Sequence, residues 1–305
     1  MDGYFVDLLV LRIIISCIGF VGNVLLIFSV IIHSKLSRVK SFELFLLGLA
    51  TANLEEILIM NISEIIVVKL SFFQNGIWIC RSLRFLTVFG EITSIFFSVL
   101  ISIFRYEKLR DTNKRANFPV FLDSIRSAWM VSGVCVMIST LLSFPIFVLD
   151  VQNPAVNVTI NSSTCPPDFF QCSKKDCPTP NLFYKYLFIV MCNLLPLIIV
   201  TVTSCLIIMV LLSQSHTVTP EEIVHGLSHH GNKKLQHSII AVLAAMGLFQ
   251  INWTFYLIFQ LIFNATDFPF WAEIERFITT SYISISPYVY GIGSHLFSVK
   301  NLIKS

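Results

Sequence analysis

The feature that most constrains this chain is the stretch 13–32, twenty residues without one formal charge. A helix needs about 20 such residues to cross the hydrocarbon of a bilayer, because each unpaired backbone N–H or C=O left in lipid costs several kcal/mol. The same ruler laid along the sequence predicts seven spans, at about 8–32, 42–68, 80–104, 125–149, 182–212, 237–263 and 271–296. The second and seventh are the weakest, since Glu55, Glu56 and Glu64 interrupt one and Glu273 and Arg276 the other. Composition agrees. Only 13% of residues are charged, against about 25% in soluble proteins, too little polar material to coat a water-facing globule.

The connecting loops are short except for 150–181 and 213–236. No internal repeat, low-complexity tail or second domain interrupts the pattern, so a single all-α seven-helix domain is expected over 1–305. The acidic stretch 1–7 and the long apolar run after it lack a cleavage site, and the first span is expected to be its own insertion signal. A net charge of +3, with its basic residues in loops rather than in a stripe, argues against nucleic acid.

Orientation follows from where Lys and Arg fall, because basic loops stay cytoplasmic. Lys35, Arg38 and Lys40 lie between spans one and two, and Arg105, Lys108, Arg110, Lys114 and Arg115 after span three. Lys233, Lys234, Lys300 and Lys304 add to the same side, which outweighs Lys69, Arg81, Arg84, Lys174, Lys175 and Lys185 opposite. The N-terminus is therefore expected outside. The sequons at Asn157 and Asn161 fall in the long loop that this topology exposes, the side where glycans are added. Asn252 begins the same pattern inside a span, so the motif alone is permissive. Cys80, Cys165, Cys172 and Cys177 share the outer side, where disulfides persist; four cysteines allow three pairings, and spacing does not choose. Cys17, Cys135, Cys192 and Cys205 sit in apolar spans as small buried hydrophobes.

Short motifs then carry a resemblance. Gly22-Asn23, Leu49-Ala50-Thr51-Ala52-Asn53, Cys80 placed 25 residues before Arg105, Trp129, Pro196 and Ser286-Pro287-Tyr288-Val289-Tyr290 together resemble the rhodopsin-like G-protein-coupled receptors. Three positions depart from that pattern. Asn53 stands where many members carry Asp, Phe104 rather than an acid precedes Arg105, and Phe249-Gln250-Ile251-Asn252-Trp253 has no proline. Those departures, with 41–57 and 104–111, resemble the vomeronasal type 1 receptors, and most closely the fish olfactory receptors class A-related. Bitter-taste type 2 receptors are the alternative, although their His-Ser seventh-span pattern is absent.

The resemblance implies a receptor for a small odorant or pheromone, coupled to a heterotrimeric G protein in the plasma membrane of sensory neurons, and not an enzyme. It also implies a disulfide from Cys80 to Cys172. Arg105, Tyr106, Lys108, Arg110, Ser286, Pro287 and Tyr290 take the coupling and switch roles. With no acid beside it, Arg105 needs a resting partner from Glu107, Asp111 or another helix. Lys108 and Arg110 also suit anionic lipid headgroups.

Charges inside a membrane mark functional sites by default, because each costs about 2.5 kcal/mol or more at mid-bilayer. Asn53, Glu56, Met60 and Glu64 recur on one face of span two. Arg84 and Glu91 lie two turns apart on span three with Thr87 and Val88 between them, and Glu273 and Arg276 three apart on span seven. These faces are predicted to meet inside the bundle. There Arg84 and Arg276 would hold an acid or phenolate, and Glu91, Glu56 and Glu64 an amine; ion pairs between helices with no ligand are the competing reading. Phe89, Phe96, Phe97, Phe249, Trp253, Tyr256 and Tyr282 are candidates to line an apolar cavity around these polar points.

No metal or cofactor is expected. The run from His225 to Gly231 has one histidine-box spacing, but a di-iron site needs several, so a solvated loop is expected. A transporter would show repeats and matched broken helices, and neither is visible.

Overall fold

The computed structural model describes residues 2–34, 39–69, 76–114, 121–147, 179–217, 229–262 and 271–293, each almost wholly helical. The helices are α1 (Asp2–Ser34), α2 (Ser41–Lys69), α3 (Gly76–Lys114), α4 (Ile125–Ser143), α5 (Thr179–Phe188), α6 (Leu195–Thr217), α7 (His229–Ile262) and α8 (Trp271–Gly293). A π-helical stretch, Ile189–Leu194, joins α5 to α6 in one continuous rod. Asn157, Asn161, Cys165, Cys172, Cys177 and His225 lie outside the described residues, as does the side chain of Glu64.

Among the described residues, five stretches are long and apolar enough to cross a bilayer: Leu9–Ile32, Trp78–Asp111, Ile125–Phe147, Thr179–Ser213 and Ile240–Ile262. The remaining two helices, α2 and α8, carry the acids that weakened their prediction. Packing explains why they hold them. α2 lies along α3 and between α1 and α8, while α8 packs on α1 and α7. Their polar faces point at neighbouring helices, so Glu56, Glu275 and Ser286 are all buried.

α3 is the axis of the bundle, touching α2, α4, α6 and α7. α4 is its opposite, with Met137 and Leu141 left 60% and 72% exposed. Apolar side chains displayed on that scale belong against lipid, not water. Between α2 and α3 the backbones approach closely at Gly90, where a Cβ would lie 2.7 Å from a Glu55 carboxylate oxygen.

Two local features differ from the sequence reading. The apolar pattern stops at Phe104, yet α3 runs on through Lys114. Arg105, Lys108 and Arg110 therefore stand on a helix rather than in a loop, since Lys and Arg are good helix formers wherever solvent meets the next turns. His229 and Gly231, expected in a loop, open α7 instead.

Most hydroxyls are satisfied by their own helix. Thr51, Ser139, Thr140, Ser143, Thr201 and Ser281 each donate to the carbonyl four residues back, at 2.7–2.9 Å. In a medium without water this is the local solution for a Ser or Thr. The polar groups that reach across helices are the ones that shape the site.

Candidate ligand pocket and switch region

At mid-bundle, α1, α2, α3 and α8 are joined by a neutral network. Asn23 donates to the carbonyls of Gly19 and Ile283 at 2.8 and 3.0 Å. Asn53 donates to the Asn23 side-chain oxygen and the Ser286 hydroxyl at 3.1 and 3.3 Å, and accepts from Ser94 at 2.6 Å. One turn further along, Ser98 and the Tyr282 hydroxyl share a 2.6 Å hydrogen bond. These groups are buried, and each amide finds partners. Glycine permits the α1–α8 approach that this needs, because a Cβ on Gly22 would fall 2.5 Å from the Tyr288 ring.

One turn from that network, toward Cys80, the bundle changes character. Three residues beyond Asn53 on α2 comes Glu56, and three before Ser94 on α3 comes Glu91, a rise of about 4.5 Å on each helix. The two carboxyls lie within electrostatic range of one another, and are 1% and 8% exposed. Neither Glu56 oxygen has a hydrogen-bond partner. Trp253 on α7 and Asn193 in the π-helical stretch are likewise buried, with the indole N–H and both amide atoms unpartnered. Trp253 belongs to a cluster of aromatic rings. Trp253 meets Tyr256 at 5.2 Å and Tyr282 at 6.2 Å between centroids, and Phe249 meets Tyr282 at 5.6 Å. Tyr256 lies within electrostatic range of both Glu91 and Arg84.

Nearer the Cys80 end the charges are paired. Glu273 faces Arg12 at 3.8 Å and Arg276 at 3.3 Å. Glu275 accepts hydrogen bonds from the Tyr256 hydroxyl at 2.8 Å and the Gln260 amide at 2.9 Å. Arg81 donates to the Phe147 carbonyl at 2.8 Å, fastening α3 to the end of the α4 segment.

At the opposite end of α3, the Arg105 guanidinium lies over the Phe42 ring at 3.7 Å. Phe42 is itself stacked on Phe104 at 5.9 Å. Tyr290 lies within electrostatic range of the same guanidinium. Lys108 bridges α3 to Asp123 at 2.8 Å, Ser41 donates to the Asp123 carbonyl at 3.0 Å, and Arg110 lies 5.6 Å from the Tyr106 ring.

The family model of the seven-transmembrane receptors of the rhodopsin family matches residues 22–290. The chain belongs to that family. No curated relative matches it significantly. As a rhodopsin-family receptor the protein is a multi-pass membrane protein that signals through a G protein, and it is not an enzyme.

In this receptor the residues expected to form the ligand site divide into three groups. Glu56 and Glu91 do meet, together with Tyr256. Glu273 and Arg276 meet each other within α8, and Arg12 of α1, reaching the same Glu273, realises the interhelical ion pairing that competed with a ligand role. Thr87 and Val88 do not offer polar contacts to an interior layer. Thr87 donates to the Leu83 carbonyl on its own helix, and Val88 packs with Ile92, Tyr184, Phe188 and Cys192. The Met60 sulfur accepts from Thr280 at 3.8 Å, a contact between α2 and α8. Arg84 stays half-buried two turns from Glu91.

Of the aromatic candidates, Phe249, Trp253, Tyr256 and Tyr282 cluster as expected, but Phe97 packs in the other core beside Phe45 and Phe104. Of the partners expected for Arg105, the one observed is on another helix, the Phe42 ring of α2. Glu107 keeps one carboxylate oxygen buried without a hydrogen bond.

Sequence reasoning missed Arg12, Asn193, Gln260 and Glu275. Arg12 directly precedes an uncharged run and so looks like the membrane edge, yet it is 2% exposed. Glu275 is hidden in a cluster of charges that looks like a solvated rim. For Asn193 there was a usable signal: an amide three residues before a proline in an otherwise apolar span.

Proposed function

We propose that this receptor is chemosensory, of the vomeronasal type 1 and fish olfactory class A-related kind. It would detect a small odorant or pheromone at the plasma membrane of sensory neurons. The observation that carries a ligand role is that Glu56, Asn193 and Trp253 all bury polar atoms without hydrogen-bond partners. Buried polar atoms are nearly always hydrogen-bonded, and unpartnered ones gathered from three helices amid aromatic rings have the make-up of a ligand pocket. The pocket reading takes in Glu56, Glu91 and Tyr256 at its floor, with Met60, Thr87, Val88, Arg84, Glu273 and Arg276 as its wall and mouth. Differential affinity for two bundle arrangements would then supply the signal.

The coupling surface in this reading is the opposite end, with Arg105, Tyr106, Lys108 and Arg110 on α3 and Ser286, Pro287 and Tyr290 on α8. Basic loops support placing that end in the cytoplasm and the N-terminus outside. Glycans on Asn157 and Asn161 and a disulfide from Cys80 to Cys172 belong to the same topology. In its favour, Cys80 is buried and is not among the free thiols Cys17, Cys135, Cys192 and Cys205.

The test is a dose–response screen of volatile and water-borne small molecules on cells expressing the chain with an N-terminal tag, read as G-protein activation. The expected result is tag staining on intact cells and a saturable response to some class of small molecule. Surface-expressed receptor that answers nothing, or a tag reached only after permeabilisation, would contradict the reading.

A further inference from the structure

The polarity of the unpartnered layer says more than that something binds there. We infer that the ligand is a protonated organic amine, its ammonium held by Glu56 and Glu91 and its body enclosed by Trp253, Tyr256 and Tyr282. This rests on the reading above that the layer is the ligand pocket.

Charge balance is the first argument. On the Cys80 side of the mid-bundle network, Arg12 and Arg276 both turn to Glu273, so of the two arginines that suggested an acidic ligand Arg276 is engaged, while Arg84 lies half-buried two turns from Glu91. Glu275 is hydrogen-bonded by Tyr256 and Gln260. Glu56 has no such company: it is 1% exposed, makes no hydrogen bond through either oxygen, and its electrostatic neighbours are Glu91 and Glu55, both acids. An unpaired carboxylate cannot stay ionised in such a place without a cation. A cation that can be supplied and withdrawn is one carried by a ligand.

Two neutral groups give the second, independent argument. Asn193, at 1% exposure, faces inward from a rod whose neighbouring Val190 and Leu194 face lipid, and both its amide atoms are unpartnered. The Trp253 indole N–H, on a ring 3% exposed, is unpartnered too. These are a donor–acceptor pair and a donor that a second polar group on the ligand would satisfy. The rings beside them offer negative faces to an ammonium, which gains most where water is absent. The π-helical turn that carries Asn193 is the kind of helix defect found at functional sites. A ligand of this class has one ammonium, a hydrogen-bonding group at a short distance from it, and a compact apolar body.

The experiment compares probes matched in shape and differing in charge on cells expressing the full chain: 2-phenylethylamine and tyramine, then 2-phenylethanol, then 3-phenylpropanoate. G-protein activation is the readout, with tag staining on intact cells as the control. The expected result is a saturable response to the amines at concentrations at least about tenfold below any response to the alcohol, since a charge-assisted hydrogen bond is roughly twice as strong as a neutral one. Glu56→Gln should weaken the amine response by about tenfold or more while leaving that of Glu56→Asp intermediate.

A response to the alcohol or the acid with none to the amines would overturn the amine assignment and leave the chemosensory reading standing. No response to any of these probes, or to the wider screen, by receptor present at the surface would overturn both. If Glu56→Gln fails to reach the surface, the ranking of the probes on the unmodified chain decides by itself.

Discussion

Two polar layers lie one helical turn apart in this bundle, and they are built on opposite terms. In the Asn23–Asn53–Ser94–Ser286 layer every amide has partners on neighbouring helices, and no member carries a charge. In the layer beside it Glu56, Asn193 and Trp253 are as deeply buried but their polar atoms lack partners. A saturated network holds helices in register, and loses stability when any member is removed. An unsaturated one costs stability as it stands, and earns its place only through what it binds.

The sharpest way to break that contrast is to remove Asn53. Asn53→Leu strands the Asn23 oxygen, the Ser94 hydroxyl and the Ser286 hydroxyl, each at about 1–3 kcal/mol. We expect surface staining to fall to background, and near-normal staining would mean the network is incidental.

Glu56→Met should do the reverse. Exchanging a buried, unpartnered carboxyl for an apolar side chain of similar length should raise the thermal unfolding midpoint of detergent-purified receptor by a few degrees, about 1–2 kcal/mol, because a lone buried polar group costs about that much. The same variant should lose its agonist response. A lowered midpoint would show that Glu56 is already satisfied.

A smaller effect is expected at Phe42. The Arg105 guanidinium lies over its ring, and a cation–π contact is worth about 0.5–2 kcal/mol. Phe42→Leu should raise agonist-free G-protein activation about two- to tenfold, and Phe42→Trp should hold it near the original level. Equal basal activity in all three receptors would remove Phe42 from the resting state.

Smallest of all is Lys108→Ala. Lys108 and Asp123 are each 49% exposed, and such pairs contribute about 0–1 kcal/mol. The unfolding midpoint should stay within measurement error.

Much of this was legible in the sequence, and for a physical reason. Lipid forces a lipid-facing span to announce itself by length and apolarity, so runs such as 13–32 need no structure to be found. The acids of α2 were legible as functional candidates for the same reason, since a charge in a span costs about 2.5 kcal/mol or more. What periodicity could not supply was pairing between helices distant in the chain. That Glu273 would hold Arg12, 261 positions away, or that Arg105 would rest on a ring from α2, depends on how helices rotate against each other. Nor can a sequence separate a satisfied Asn53 from an unsatisfied Asn193, since both read as one amide in an apolar run.

The most direct test of the account is nucleotide exchange on a purified heterotrimeric G protein by the receptor reconstituted in lipid nanodiscs, with and without 2-phenylethylamine or tyramine. An amine should accelerate exchange by the unmodified receptor, and Glu56→Met, folded and at equal concentration, should answer about tenfold more weakly or not at all. Equal acceleration by the two receptors would contradict it, because the unpartnered carboxyl would then have no part in recognising the ligand.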